Sequence, residues 1–134
     1  MTFKRDQHRL FSHHGYIYAI ALVRGLIESS PSDEVLLTGS GDGTVKIWRL
    51  STSANGVPVQ LAKLDNGSDA VLSIDIEGPL LYCGLENGSL NVWNLESYQL
   101  VKQMASHCGD LWTVNILRGC AFTGDSNGVV KVGT

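Results

Sequence analysis

The sequence predicts an all-β fold of short antiparallel strands, and three observations predict it. First, one pattern occurs three times, over Leu36 to Trp48, Leu81 to Trp93 and Ala121 to Gly133, with Gly39 to Gly84 spanning 45 residues and Gly84 to Gly124 spanning 40. Second, in each copy an apolar run ends in Gly, a turn with Asp-Gly or Asn-Gly follows, and apolar residues then alternate, as in Val45 and Ile47, Leu90 and Val92, Val130 and Val132. That is the signature of a β-hairpin. Third, no apolar run approaches the roughly 18 residues of a membrane helix; the longest obvious one runs from Tyr16 to Val23.

Each element follows in order. Gln7 to Phe11 reads as the fourth strand of a preceding unit, because Leu10 precedes Ile17 by the same seven residues that separate Leu64 from Val71 and Met104 from Leu111. Ile17 to Ile20, Val71 to Ile74 and Leu111 to Val114 read as first, innermost strands, the last two lying 13 residues ahead of Gly84 and Gly124. The hairpins supply second and third strands, and Val59 to Leu64 and Leu100 to Met104 a fourth. Four strands at a period of about 40 to 45 residues is the pattern of a propeller blade. The expected architecture is therefore a partial β-propeller of about three four-stranded antiparallel blades. Residues 1–12 form a fourth strand of a preceding blade, 13–65 a repeat with long loops, 66–105 a second repeat and 106–134 an incomplete third. Three blades fall below the usual four to eight, so either a longer chain or a second copy is expected to close the ring.

Composition excludes several functions. With 10 Lys and Arg against 13 Asp and Glu, the net charge is −3 at pH 7, which does not suit an electrostatic nucleic-acid binder. The charged fraction of 17% is below the roughly 25% usual in globular chains, as expected of blade faces that pack on neighbours. No membrane partner is expected either. Lys4, Arg5, Asp6 and Arg9 are followed by no apolar signal-peptide core, so the expected location is cytoplasmic. Cys83, Cys108 and Cys120 show neither disulfide nor zinc spacing. The Asn-Gly-Ser sequons at Asn66 and Asn87 read as turn chemistry.

The motifs of the repeats resemble the WD-repeat family, from about His13 to Val132. The resemblance implies that a His before the first strand, a Ser or Thr on the second, an Asp in the hairpin turn and a Trp on the third form one buried hydrogen-bonded tetrad. The first repeat keeps all four as His13, Thr38, Asp42 and Trp48, although His14 is near enough to take the place of His13. The second has Gly67 and Cys83 at the first two places, Asn87 in the turn, and keeps Trp93. The third keeps His107 and Thr123, has Asn127 in the turn, and carries Gly133 where the Trp belongs. The residue after Trp is Arg49 or Asn94, so the Trp-Asp-x-Arg run of ubiquitin-ligase adaptors is absent. A narrower resemblance, carried by Phe11 to Tyr18, Ala70 to Ser73 and Leu90 to Leu95, is to the amino-terminal propeller of fungal di- and tripeptidases that degrade glutathione, in which a zinc-dependent catalytic domain follows.

No catalytic residue and no cofactor are expected in this segment. His13, Thr38 and Asp42 have the residue types of a hydrolytic triad, but their spacing follows the blade period and Trp48 completes a structural set. Gly39 to Thr44 fits neither phosphate-loop pattern, and Asp125 to Gly128 lacks the rest of a calcium loop. His8, His13 and His14 have no companion pattern that would fix a metal geometry. Tyr16, Tyr18 and Trp112 read as packing residues, with lining of a central channel as the alternative. The extra length in the first repeat, over Leu26 to Asp33 with a neighbour and again over Ser51 to Pro58, is expected to place Glu28, Ser29, Pro31, Asp33 and Asn55 on one face as candidate partner-binding loops. The expected function is a noncatalytic scaffold for unidentified protein partners.

Overall fold

A computed structural model describes residues 13–26, 33–50 and 58–133. Among them are eleven strands: β1 (Ile17–Arg24), β2 (Glu34–Ser40), β3 (Thr44–Leu50), β4 (Val59–Asp65), β5 (Val71–Glu77), β6 (Leu80–Leu85), β7 (Ser89–Asn94), β8 (Gln99–Ala105), β9 (Leu111–Leu117), β10 (Cys120–Asp125) and β11 (Val130–Gly133). They form three antiparallel sheets in sequence order, β1 to β4, β5 to β8 and β9 to β11. The chain is all-β, as the alternating pattern requires, and the sheets are partial propeller blades. The proposed strand over Gln7 to Phe11 lies outside the described residues. None of the described residues forms a helix long and apolar enough to cross a membrane.

The blades repeat in detail. Each first strand has an irregular step near its start, opposite the junction of the second strand with its turn. Each complete blade also has an irregular step where the Trp of its third strand meets the fourth, at Ile47/Trp48 and at Val92/Trp93. These steps add local twist. Successive residues along a β-strand point to opposite faces of the sheet, so each blade offers one apolar face to each neighbour. Between the first and second blades, Val35, Leu37, Val45 and Ile47 meet Val71, Leu81, Cys83, Leu85, Trp93 and Leu95 in one core. Between the second and third, only Leu90, Leu111 and Val114 are buried together.

Polar contacts add to the second seam. Ser73 Oγ donates to the Leu111 carbonyl at 3.0 Å, and Asp75 accepts from Ile116 N–H at 2.7 Å. The Glu77 carboxylate accepts from both Arg118 and Gly119 N–H, at 2.7 and 2.8 Å. Those two residues form the tight turn between β9 and β10 with φ of 51° and 76°, the left-handed pair that a two-residue hairpin requires.

The hairpin turns also touch the next blade. Gly43 (φ 87°) and Gly88 (φ 85°) occupy left-handed backbone, and a Cβ on either would strike the carbonyl of Gly67 or of His107 in the following blade. Gly128 has a similar φ of 81° but open space around it. Left-handed strain costs a non-glycine residue about 1–3 kcal/mol. Gly43→Ala and Gly88→Ala should therefore destabilise beyond that range, and Gly128→Ala should stay within it. Denaturant midpoints of the three variants check this; equal losses would show that the contact between blades is not what selects glycine.

Candidate functional site

Two features stand at the end of the blades where first strands begin: a buried polar network and an exposed aromatic cluster. In the first blade the network is anchored by His13, which is buried ahead of β1. Its Nε2 lies 2.7 Å from Thr38 Oγ1 and its Nδ1 3.0 Å from Asp42 Oδ2. Trp48 Nε1–H donates to Thr38 Oγ1 at 3.3 Å. One proton arrangement satisfies the set: the indole donates to the threonine, the threonine hydroxyl to Nε2, and Nδ1–H to the carboxylate. The other Asp42 oxygen, Oδ1, accepts from Thr44 hydroxyl and N–H at 2.7 and 2.9 Å, and the His14 backbone N–H reaches Oδ2 at 3.1 Å.

Burial pushes the Asp42 carboxyl upward, but the bonds from Thr44, His13 and His14 outweigh it and hold the group well below the usual carboxylate range. The carboxylate thus stays charged and ties turn to strand. Thr38 Oγ1 is committed at both ends and Thr38 is buried. This geometry orders the turn.

The other two blades correct the expected assignments. In the third, His107 Nε2 meets Thr123 Oγ1 at 2.6 Å, but Nδ1 meets Asp125 at 2.8 Å rather than Asn127. Asp125 aligns with Ser40, two residues before the expected turn position. Its other oxygen accepts Asn127 and Val129 N–H, each at 2.9 Å. The bond from Val129 lowers its pKa most; partial desolvation opposes this, and His107 and Asn127 reinforce the lowering. A carboxylate makes stronger charge-assisted bonds than an amide, so Asp125 displaces Asn127, which serves only through its backbone.

In the second blade Asn66, not Gly67, stands in for the histidine. Its Oδ1 accepts from Trp93 Nε1–H at 2.8 Å and from Asn91 Nδ2–H at 2.9 Å. Asn66 was legible only as a turn residue, because its place is one residue off the spacing set by His13 and His107. Asn87 caps its own turn through Ser89 N–H at 2.8 Å and donates to Asp69 at 2.9 Å, so it takes no part in the set around Trp93. Cys83, where a threonine would stand, is fully buried and its thiol is pushed far up by desolvation; it is a neutral packing group. Asn91 Oδ1, buried opposite Cys83, has no hydrogen-bond partner among the described residues.

The network sets the neighbouring backbone. Tyr16 C=O accepts Gly41 N–H at 2.7 Å, so the segment after His13 lies on the turn that holds Asp42. This presents Tyr16, Tyr18 and Trp112 outward, at 80%, 44% and 46% exposure, instead of as packing residues. Tyr16 and Tyr18 meet edge to face with ring centres 6.2 Å apart, and Tyr18 meets Trp112 of the third blade at 6.1 Å.

Of the candidate loop residues, Glu28, Ser29, Pro31 and Asn55 lie outside the described residues. Asp33 is engaged by Arg49 Nε at 2.8 Å, so its carboxylate holds the loop to β3 instead of standing ready for a partner. Among the described residues no group of three or more His, Cys, Asp or Glu could hold a metal ion. His8 lies outside them, and His13 is committed to the network.

Comparison with known proteins agrees with the repeat pattern. The family described as WD domain, G-beta repeat, matches residues 5–49. The probable di- and tripeptidase DUG2 of Saccharomyces cerevisiae is 31% identical over 131 residues, 89% of this chain and 15% of that protein. Myosin heavy chain kinase C of Dictyostelium discoideum is 32% identical over 85 residues, 63% of this chain and 10% of its own. Cell division control protein 4 of Candida albicans is 29% identical over 94 residues, 67% of this chain and 14% of its own. The chain thus spans a small fraction of each relative.

Proposed function

The chain belongs to the WD-repeat propeller family, and from that premise we propose that it is a noncatalytic propeller segment that offers a rigid surface to protein partners. One observation carries this reading: the exposed cluster of Tyr16, Tyr18 and Trp112, which joins the first and third blades at the rim. Aromatic side chains supply large contact area at small entropic cost and dominate protein interfaces. The cluster contributes little to the core, so its exposure is better explained by contact with a partner than by folding.

The test is photo-crosslinking from position 16 or 112, with position 117 as the control. Leu117 is 60% exposed and ends the strand near whose start Trp112 lies. Polypeptide adducts should form from the aromatic rim, vanish on Tyr18→Ser, and be absent from position 117. Tyr18→Ser itself should change stability by no more than about 0.5 kcal/mol, as for other surface changes. Equal adducts from both ends would sink the proposal.

A second reading rests on the match over 89% of the chain to a probable di- and tripeptidase. Here the chain is the propeller portion of a cytosolic zinc-dependent di- or tripeptidase of glutathione degradation, with the catalytic domain outside it. Its residues would position that domain and bind no metal themselves. The chain alone should then leave Cys-Gly intact, and chelator-sensitive hydrolysis by it would overturn both readings. Clusters of His, Asp and Glu in the coding sequence after Thr134 would favour the peptidase, and further blades alone would favour the scaffold.

A further inference from the structure

Beyond partner binding at the rim, the seam between the second and third blades holds a cavity of about 280 Å³. Its second-blade wall includes Leu80, Tyr82, Leu90 and Val92. By strand register these are the counterparts of Val35, Leu37, Val45 and Ile47, which form the first-blade wall of the preceding seam. There, Leu81 pairs with Trp93 across the sheet of the second blade, and both fill the core. In the third blade the same pair is Ala121 and Gly133. The cavity is thus the place of an indole and an isobutyl group that this blade lacks. The space is open at its base, since a Cβ on Gly133 would meet nothing within 4 Å.

The charge of the lining is one-sided. Lys102 and Lys131 line the cavity, and among the described residues no Asp or Glu does. Lys131 Nζ donates to the carbonyl of Ser106, which also lines the cavity, at 2.6 Å. We infer that this cavity is a binding site for a small planar aromatic carboxylate, of the size and shape of an indole acid. The ring takes the place that Trp93 occupies one blade earlier, and the carboxylate faces the two lysines. Apolar walls gain contacts with an aromatic ring that water does not make.

Calorimetric titration of the protein with indole-3-acetate tests this, with tryptamine as its cationic twin. Saturable binding below about 1 mM is expected, a range suited to a ligand of this size, with tryptamine several-fold weaker. Gly133→Trp should abolish binding by filling the slot from within. Ala121→Leu, a smaller change from the neighbouring strand, should weaken it even if the first variant fails to fold. Absence of saturable binding, including through occupation of the slot by the protein's own following residues, would overturn the assignment. So would unchanged affinity in a folded Gly133→Trp protein, or tryptamine binding as tightly as the acid.

Discussion

Trp93→Ala is expected to destabilise the protein by about 3–5 kcal/mol, the range for removing a buried aromatic from a core. The indole is 8% exposed and belongs to the core that joins the first two blades. Its loss leaves a void against the first blade. It also takes one donor from Asn66 Oδ1, which keeps the bond from Asn91. Trp93→Phe separates these effects: most of the ring contact survives and the N–H does not, so a loss of about 1–2 kcal/mol is expected. Urea titration of both variants measures the difference. A phenylalanine variant as unstable as the alanine variant would mean that the hydrogen bond to Asn66, not the packing, dominates.

Asp42→Ala should be the other large effect. It removes the acceptor of four bonds at once, from the His13 ring, His14 N–H, Thr44 N–H and Thr44 hydroxyl. A buried polar group left unpaired costs about 1–3 kcal/mol, and the His13 ring is buried while the backbone donors can reach water. A total loss of about 2–4 kcal/mol is therefore expected. The pH dependence has a definite sign. The folded-state pKa of Asp42 is lowered from 3.8, so its contribution is complete above the unfolded value and is lost as pH falls through the folded one. The acid limb of the stability curve should be shallower in Asp42→Asn than in the parent. Parallel acid limbs would show that this carboxylate does not drive acid unfolding. Asp125→Asn should flatten the curve in the same sense, because its pKa is lowered too.

In the third turn, position alone does not decide which residue meets the histidine. The third turn, Asp125-Ser126-Asn127-Gly128, places Asn127 in line with Asp42, yet His107 takes the carboxylate two residues earlier. The bond goes to a carboxylate, a stronger charge-assisted acceptor than an amide. Asn66 was missed for a similar reason: the Trp93 N–H needs an acceptor after Cys83 replaces the threonine, and the nearest one in space is a residue out of step in sequence. Tyr16, Tyr18 and Trp112 sit on or beside apolar strands, a position that fits packing or the lining of a central channel. Their exposure depends on which face of the first strands has a neighbour.

The sequence by itself determined the all-β class, the repeat, the hairpins and the first tetrad, because strand alternation and Gly-bearing turns act over a few residues and leave a periodic trace. Only the tertiary structure decided what each blade meets. It showed that Gly43 and Gly88 are constrained by the next blade, that Asn66 and Asp125 complete the other networks, and that Ala121 and Gly133 leave a cavity where Leu81 and Trp93 leave none. The physical reason is that hydrogen-bond partners and void volume depend on atoms some 10 to 40 residues away, and short-range pattern carries no record of them.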